Sequence, residues 1–323
     1  MRAAVLHTPG SPPSHREHPT PEPAPGRTLV RVTAAPVVPL DLLCASGTSY
    51  FGRPAVPYVP GVQGVGVVER SDALPPGARV WFATSAGMAP GDGALAERCA
   101  VPDADVVPVT ADLPDTAVAA LGLSAVAAWM ALTWRGRFTA GERVVVLGGG
   151  GAVGQVAVGA ARLLGAARVV AVCRSAAAAE RARAAGAEEV VAPDGDADAL
   201  AERLRGAAGG AVDVVVDPVF GVAAAAAARV LAPGGRLVNL GSAGGDEAAF
   251  SSAVLRSRSA EVLGYTNNAL TPGQRAGALA TVLGHAAAGR LGVAHEVLPL
   301  TEIERAWRRQ AAGDAGVRSV LTP

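Results

Sequence analysis

The sequence predicts an α/β fold in which a β-rich region precedes a doubly wound parallel sheet. Short strand-like segments dominate up to about residue 120, and helix and strand patterns alternate from about residue 115 onward. One apolar strand also runs directly into a glycine turn and a helix start, at residues 144–164. Parallel strands need helical crossovers, so this alternation favours an open sheet whose ligand lies at the carboxyl ends of the strands.

The strands of the N-terminal region are predicted from alternation and from turn residues. An edge strand is expected at the start of the chain, over residues 1–6. Residues 28–33 alternate apolar and polar side chains, residues 64–69 are spaced by glycines, and residues 77–82 follow two consecutive prolines. Short runs bounded by Gly and Pro are typical of β-strands and turns.

The second region is predicted as a βα series. A helix over residues 117–134 is followed by strands near 143–148, 168–173, 189–192, 212–217 and 235–240, with alanine-rich helices between them. Two further helices are expected at 271–289 and 301–312, and two strands at 293–298 and 316–321. We expect these last two strands to return to the first domain.

The glycine turn is the most informative motif. Gly149, Gly151 and Gly154 fit G-x-G-x-x-G, whose first glycine permits a tight turn, whose second lets backbone approach a phosphate and whose third lets helix and strand pack closely. Amides at the helix start, at Ala152 and Val153, would then face the anion. Glycine turns also occur without a ligand, but the flanking strand and helix favour a dinucleotide site.

The residues after the next strand predict which dinucleotide binds. Arg174 and Ser175 stand where a site specific for NAD would place Asp or Glu on the ribose hydroxyls. The donor fork of a guanidinium matches a 2′-phosphate, so NADPH is predicted in preference to NADH. The alternative is that Arg174 is a solvated surface arginine.

Composition excludes several classes of protein. The 323 residues are 50% hydrophobic, enough for two domains with a large core. The 28 basic and 28 acidic side chains leave no net charge to attract nucleic acid or an anionic membrane. All the cationic side chains are Arg, and the absence of Lys excludes lysine Schiff bases and a Walker loop.

Cysteine usage and hydropathy predict where the protein works. Cys44, Cys99 and Cys173 are odd in number and far apart, which favours a reducing compartment without a disulfide framework. No run of about 20 uninterrupted apolar residues is present, and the first residues lack a signal-peptide pattern. A cytoplasmic location is therefore expected.

Several motifs together resemble one known family. They lie at residues 58–69, 93–97, 119–132, 140–148, 212–217, 231–241 and 316–321. Their order and spacing resemble the zinc-independent quinone oxidoreductase branch of the medium-chain dehydrogenase/reductase superfamily, over nearly the whole chain.

The resemblance implies a GroES-like β-barrel catalytic domain and a doubly wound Rossmann domain. The first would comprise residues 1–118 and 289–323, and the second residues 119–288. NADPH would occupy a cleft between them, and the protein would be a homodimer. The resemblance places further cofactor contacts at Asp217, Leu240, Gly241, Ser242, Asn267, Asn268 and Arg318. Three of these have a plainer explanation, with Asn267 and Asn268 forming an ordinary turn and Arg318 a surface charge.

No metal site is predicted. Related alcohol dehydrogenases hold a catalytic zinc with Cys, His and often Glu. Here Gly61, Val62 and Gln63 stand where those enzymes carry Gly-His-Glu, and the five histidines lack ligand-like spacing. Without a Lewis acid, hydride removal from a simple alcohol is not expected.

The substrate region departs from the family pattern. Val38, Leu43 and Ala127 replace polar residues, so the cleft is expected to be more apolar than usual. Asp41 remains as a candidate catalytic residue, and Tyr50 is the provisional proton donor, with solvent as the alternative. A purely structural role for either residue stays open.

These patterns predict hydride transfer from NADPH to a quinone or an α,β-unsaturated carbonyl compound, both small molecules. One alternative is an enoyl reductase of a biosynthetic pathway, since an apolar cleft suits a bulkier acceptor. Another is a protein that binds NADPH without turnover and acts as a redox-responsive partner.

Overall fold

The computed structural model describes residues 1–22, 24–313 and 316–323. The chain divides into two compact units. The first unit comprises Met1–Leu123 and Val293–Pro323, and the second comprises Ser124–Gly292. The sequence-based boundaries were residues 118 and 288.

Fifteen strands and nine α-helices are found in the described part of the chain. The strands are β1 Arg2–Val5, β2 Ser14–Glu17, β3 Arg27–Pro36, β4 Gln63–Arg70, β5 Arg79–Ala83, β6 Arg98–Pro102, β7 Val106–Pro108, β8 Arg143–Leu147, β9 Arg168–Val172, β10 Glu189–Val191, β11 Val212–Asp217, β12 Leu231–Asn239, β13 Glu261–Gly264, β14 His295–Pro299 and β15 Arg318–Thr322. The helices are α1 Pro39–Ser46, α2 Asp115–Met130, α3 Ala152–Leu163, α4 Ala176–Ala184, α5 Ala197–Ala208, α6 Gly221–Ala228, α7 Ser252–Arg258, α8 Pro272–Ala287 and α9 Ile303–Ala311.

The first unit is built on a largely antiparallel sheet. Its strand order is β14-β15-β3-β4-β5-β7, with β6 also paired to β3, and β1 pairs with β2 in a separate two-stranded sheet. Strand β15 pairs antiparallel with β3, at Val320 opposite Pro36 and Leu321 opposite Ala35. The last two strands of the chain therefore join the sheet of the first unit, as the sequence predicted.

The second unit is built on a six-stranded sheet of order β10-β9-β8-β11-β12-β13. Every neighbouring pair is parallel. The order reverses at β8 and β11, since β9 and β10 continue to one side and β12 and β13 to the other. Ligands of doubly wound sheets bind at the carboxyl ends of the strands beside such a reversal.

Valine runs and small side chains explain how this sheet is covered on both faces. The valines of β8 and β11 are all buried, as expected for strands with helices on either side. Helix α6 contributes six consecutive buried alanines, residues 223–228. These small side chains let the helix lie close to the strands.

One helical stretch within the described residues, Asp115–Arg135, is long and apolar enough to cross a membrane by length and composition. Its most apolar window has a mean hydropathy of 1.7 and is 67% buried inside the protein, as in a helix of a protein core. Thr116, Ser124 and Thr133 interrupt this stretch, so the sequence does not show it as one uninterrupted apolar run.

Helix α2 is broken inside the predicted span. Gly122 has φ 33° and ψ −131°, which no helical residue adopts. The Gln63 side-chain oxygen fills the break and accepts hydrogen bonds from the Leu123 amide at 2.7 Å and from Trp81 Nε1 at 3.1 Å. The side chain of Gln63 thus supplies the acceptor that the Leu123 amide loses at the break.

Candidate functional site

The turn after β8 has the shape that the glycine motif predicts, with one correction. Gly148, rather than Gly149, is the left-handed residue, with φ +68°. This conformation is accessible to glycine at little cost. The tight turn therefore precedes the first glycine of the motif by one residue.

The third glycine of the motif is confined by backbone. A Cβ atom on Gly154 would lie 2.2 Å from the Gly148 oxygen and 2.6 Å from the Gly149 Cα. A Cβ on Gly151 would meet only the Gly148 oxygen, at 3.4 Å. Close packing thus requires Gly154, whereas the space beside Gly151 is open enough for a ligand to approach the backbone.

The start of α3 offers backbone donors. Gly151 is the N-cap residue, and its own amide donates to the Gly148 oxygen at 3.0 Å. The first intrahelical bond runs from the Gln155 amide to the Gly151 oxygen at 2.8 Å. The amides of Ala152, Val153 and Gly154 lie in the first turn, where a helix supplies no acceptor. Such a helix start binds anions.

Asp217 shapes the turn after β11. Its Oδ1 accepts hydrogen bonds from the amides of Val219 at 2.9 Å and Phe220 at 2.7 Å. Asn239 Nδ2 donates to its Oδ2 at 3.2 Å. Burial raises the pKa of Asp217, and these hydrogen bonds oppose that shift. The carboxylate therefore holds a loop in place, and Asn239 is a partner that the sequence analysis missed.

The turns after β8, β11 and β12 meet at one edge of the sheet. The Leu240 amide donates to the backbone carbonyl oxygen of Asp217 at 2.9 Å. A Cβ on Gly241 would lie 2.8 Å from the backbone carbonyl oxygen of Pro218. A Cβ on Gly148 would lie 2.9 Å from Val219 Cγ2. The structure thus brings the glycine turn together with Asp217 and the segment Leu240, Gly241 and Ser242.

Arg174 and Ser175 follow β9, on the other side of the glycine turn. Ser175 caps α4, with its hydroxyl oxygen accepting from the Ala178 amide at 3.2 Å. Arg174 is exposed, and no ion pair joins its guanidinium to another of the described residues. The guanidinium is thus available to a ligand, and its predicted role stays a prediction.

Asn267 and Asn268 lie in a short helical turn after β13. The Asn267 side-chain oxygen accepts from the Tyr265 hydroxyl at 2.6 Å. The Asn268 amide donates to the Thr266 hydroxyl at 3.2 Å. These contacts are those of a local turn, and cofactor binding by Asn268 remains a prediction.

Asp41 and Arg318 are neighbouring buried charges in the first unit. Asp41 accepts hydrogen bonds from the amides of Val38 and Val62, both at 2.8 Å. Burial raises the pKa of Asp41 to about 6, against these bonds and the charge of Arg318. Burial likewise lowers the pKa of Arg318 to about 10, opposed by Asp41. Arg318 is therefore buried, so the alternative of a surface charge is wrong, and cofactor binding by Arg318 remains a prediction.

Tyr50 lies on the surface of the first unit. Its side chain is 78% exposed, and its ring centroid lies 4.3 Å from that of Phe51. A tyrosine hydroxyl is protonated at neutral pH, and partial burial and the neighbouring Cys44 raise its pKa further. A proton is available there, but no hydrogen bond to another described residue fixes the direction of the hydroxyl.

The residues at the expected zinc position do not fit a zinc ion. Val62 and Gln63 occupy the positions where related enzymes carry His and Glu, and a valine side chain offers no ligand atom. Gln63 already accepts two hydrogen bonds. Across residues 1–22, 24–313 and 316–323, no group of three or more His, Cys, Asp or Glu is placed to hold a metal ion.

Two family models match the chain. Residues 24–111 match the alcohol dehydrogenase GroES-like domain, and residues 152–282 match the zinc-binding dehydrogenase family. The crystal structure of the quinone oxidoreductase from Thermus thermophilus, also solved in complex with NADPH, is 32% identical to this chain. The match covers 100% of both chains, with a TM-score of 0.80.

Two curated relatives match over parts of their length. One is a subunit of the phenolphthiocerol/phthiocerol polyketide synthase of Mycobacterium tuberculosis, 31% identical over 296 residues, which are 88% of this chain and 13% of that protein. The quinone oxidoreductase of Lama guanicoe is 35% identical over 146 residues, 44% of this chain and 42% of that protein. The chain thus spans less than half the length of either relative.

The fold and the family matches agree on one assignment. A GroES-like unit and a Rossmann unit are both present, and the full-length match to a quinone oxidoreductase covers the two together. The chain belongs to the quinone oxidoreductase branch of the medium-chain dehydrogenase/reductase superfamily.

Proposed function

We propose that the protein transfers hydride from NADPH to a quinone or an α,β-unsaturated carbonyl compound. The observation that carries the proposal is the glycine turn, with first-turn amides at the point where the strand order of the sheet reverses. The NADPH complex of the 32% identical Thermus thermophilus protein supports the choice of cofactor.

Each part of the site has a distinct task in this proposal. The amides of Ala152, Val153 and Gly154 bind the pyrophosphate, and the turns after β11 and β12 line the nicotinamide. NADPH, when bound, supplies the hydride. The chain's contribution is alignment and exclusion of water, and alignment alone lowers a barrier by up to about 7–11 kcal/mol.

The proposed reaction uses no zinc. Its support is the donor set described above, in which Val62 stands in place of a histidine ligand and Gln63 is engaged with Trp81 and Leu123. Quinones and enones are electrophilic without a metal, so this donor set suits them better than a simple alcohol. Metal analysis of the purified protein tests this step, and stoichiometric zinc would overturn it.

Arg174 is proposed to bind the 2′-phosphate. Loss of a charge-assisted hydrogen bond costs about 1.5–3 kcal/mol, so Arg174→Ala is expected to weaken NADPH binding by about tenfold or more. NADH lacks this phosphate, and its affinity should change by less than about twofold. Calorimetric titration of both nucleotides measures the difference, and equal losses for the two would refute the assignment.

Tyr50 is proposed as the proton donor to the reduced acceptor. The support is an exposed tyrosine hydroxyl, which carries a proton at neutral pH. General acid catalysis typically contributes about 10²–10⁴-fold, so Tyr50→Phe should lower turnover by about that factor and leave NADPH affinity unchanged. Full turnover of the variant would transfer the role to solvent.

An enoyl reductase is the second candidate. The match to a polyketide synthase over 88% of this chain favours it. Side-by-side turnover of a benzoquinone, a naphthoquinone and an enoyl thioester separates the two activities. Tight NADPH binding without oxidation by any acceptor would instead favour the non-catalytic alternative, which has no structural support of its own.

A homodimer working in the cytoplasm completes the proposal. Strand β13 is one of the two edge strands of the parallel sheet, and its Val262 side chain is 38% exposed. An edge strand with an exposed apolar side chain favours pairing with a second copy. Sedimentation analysis should find a dimer for the wild type and a monomer for Val262→Lys.

A further inference from the structure

The carbonyl group of Gly150 is held by two side chains. Arg181 Nε, on α4, donates to the Gly150 oxygen at 2.9 Å. Gln155 Nε2, on α3, donates to the same oxygen at 3.1 Å. The glycine turn is thus fixed from the helix that follows β9 as well as from its own helix.

The turn is also pressed against the first turn of α4. A Cβ on Gly150 would lie 2.4 Å from the Ala178 oxygen and 2.6 Å from the Ala178 Cα. The Cys173 thiol donates to the same Ala178 oxygen at 3.6 Å. These contacts leave Gly150 no room for a side chain, so packing against α4 fixes the position of its peptide groups.

Arg183 provides a matched comparison for Arg181. Burial raises the pKa of the Cys173 thiol. The hydrogen bond from the Gly150 amide lowers this pKa, and the positive charges of Arg181 and Arg183 lower it further. Both charges therefore lie near the turn. Of these two arginines, Arg181 donates a hydrogen bond to the turn, whereas Arg183 is exposed on α4.

We propose that Arg181 is a positioning residue for the pyrophosphate of either nicotinamide dinucleotide. By holding the Gly150 oxygen, Arg181 fixes the turn that leads into the donor amides of α3. The inference rests on the proposed cofactor site. It differs from the role of Arg174, because a pyrophosphate is common to NADPH and NADH whereas the 2′-phosphate is not. A turn ordered before binding has less conformational entropy to lose.

The test compares three variants by calorimetric titration with NADPH and with NADH. Arg181→Met should weaken the binding of both nucleotides by a similar factor, about three- to tenfold, because the turn must then be ordered on binding. Arg183→Met should change both by less than about twofold, and Arg181→Lys should recover part of the loss. Equal losses in Arg181→Met and Arg183→Met would overturn the proposal in favour of a general charge effect. A loss confined to NADPH would overturn it in favour of a 2′-phosphate contact.

A second measurement needs no cofactor. Amide hydrogen exchange of residues 148–154 in the ligand-free protein should be faster in Arg181→Met than in the wild type, and unchanged in Arg183→Met. Unchanged exchange in Arg181→Met would overturn the positioning role. Were the wild type to bind neither nucleotide, the proposed function would fail, while the exchange rates would still decide whether Arg181 holds the turn.

Discussion

Gly154→Ala is expected to weaken NADPH binding by at least about tenfold and to lower the free energy of unfolding by about 1–3 kcal/mol, the usual cost of overpacking. The new Cβ would lie 2.2 Å from the Gly148 oxygen, so the backbone of the turn must move. That movement displaces the amides proposed to bind pyrophosphate. Urea unfolding and calorimetric titration measure the two effects.

Two other glycines serve as controls for this variant. Gly151→Ala places its Cβ no closer than 3.4 Å to any other group, so it should fold with wild-type stability while still obstructing the approach of a phosphate. Gly206→Ala, in α5 with nothing within 4 Å, should stabilise the protein by about 0.5–1 kcal/mol. Wild-type affinity and stability in Gly154→Ala would contradict the packing argument.

Asp41→Ala is expected to lower the free energy of unfolding by about 2–6 kcal/mol, because it leaves two buried amides without an acceptor and each such loss costs about 1–3 kcal/mol. The substitution takes the acceptor from the amides of Val38 and Val62 and the countercharge from Arg318. Urea unfolding at constant pH measures the loss. Asp112→Ala removes an exposed carboxylate of the same unit and should change stability by less than about 0.5 kcal/mol. A cost for Asp41→Ala as small as that of Asp112→Ala would refute the structural role.

The cost of Asp41→Ala should also depend on pH. The pKa of Asp41 is raised from 3.8 to about 6 in the folded protein, so the folded state holds the proton more tightly than the unfolded state. This contribution to stability is fully present below pH 3.8 and is lost as the pH rises through about 6. The difference in unfolding free energy between wild type and variant should therefore be larger near pH 4 than at pH 8, and the opposite trend would contradict the raised pKa.

The sequence predicted the parallel sheet well where strands are buried on both faces. Strands β8 and β11 form near-continuous valine runs, and the predicted range 212–217 coincides with β11. Strand β13 and helix α7 were not predicted. Strand β13 is four residues long with alternating partial exposure, and α7 buries none of its residues, so neither carries a periodic apolar signal.

In the candidate site, the features that the sequence predicted are also those formed by residues close together along the chain. The glycine turn and the helix start were predictable because they are encoded by neighbouring residues. Arg181 and Asn239 were not, because each acts on residues that are distant along the chain or that belong to another strand. The structural contacts of Asp41 likewise depend on Val62, 21 residues away, and no local pattern reports such a contact.

Calorimetric titration of the wild-type protein with NADPH and with NADH tests the central claim most directly, because the claim is that the amides after the glycine turn bind a dinucleotide pyrophosphate. We expect one nucleotide to bind per chain, with NADPH tighter than NADH. Absence of binding by both nucleotides to the folded protein would contradict the account.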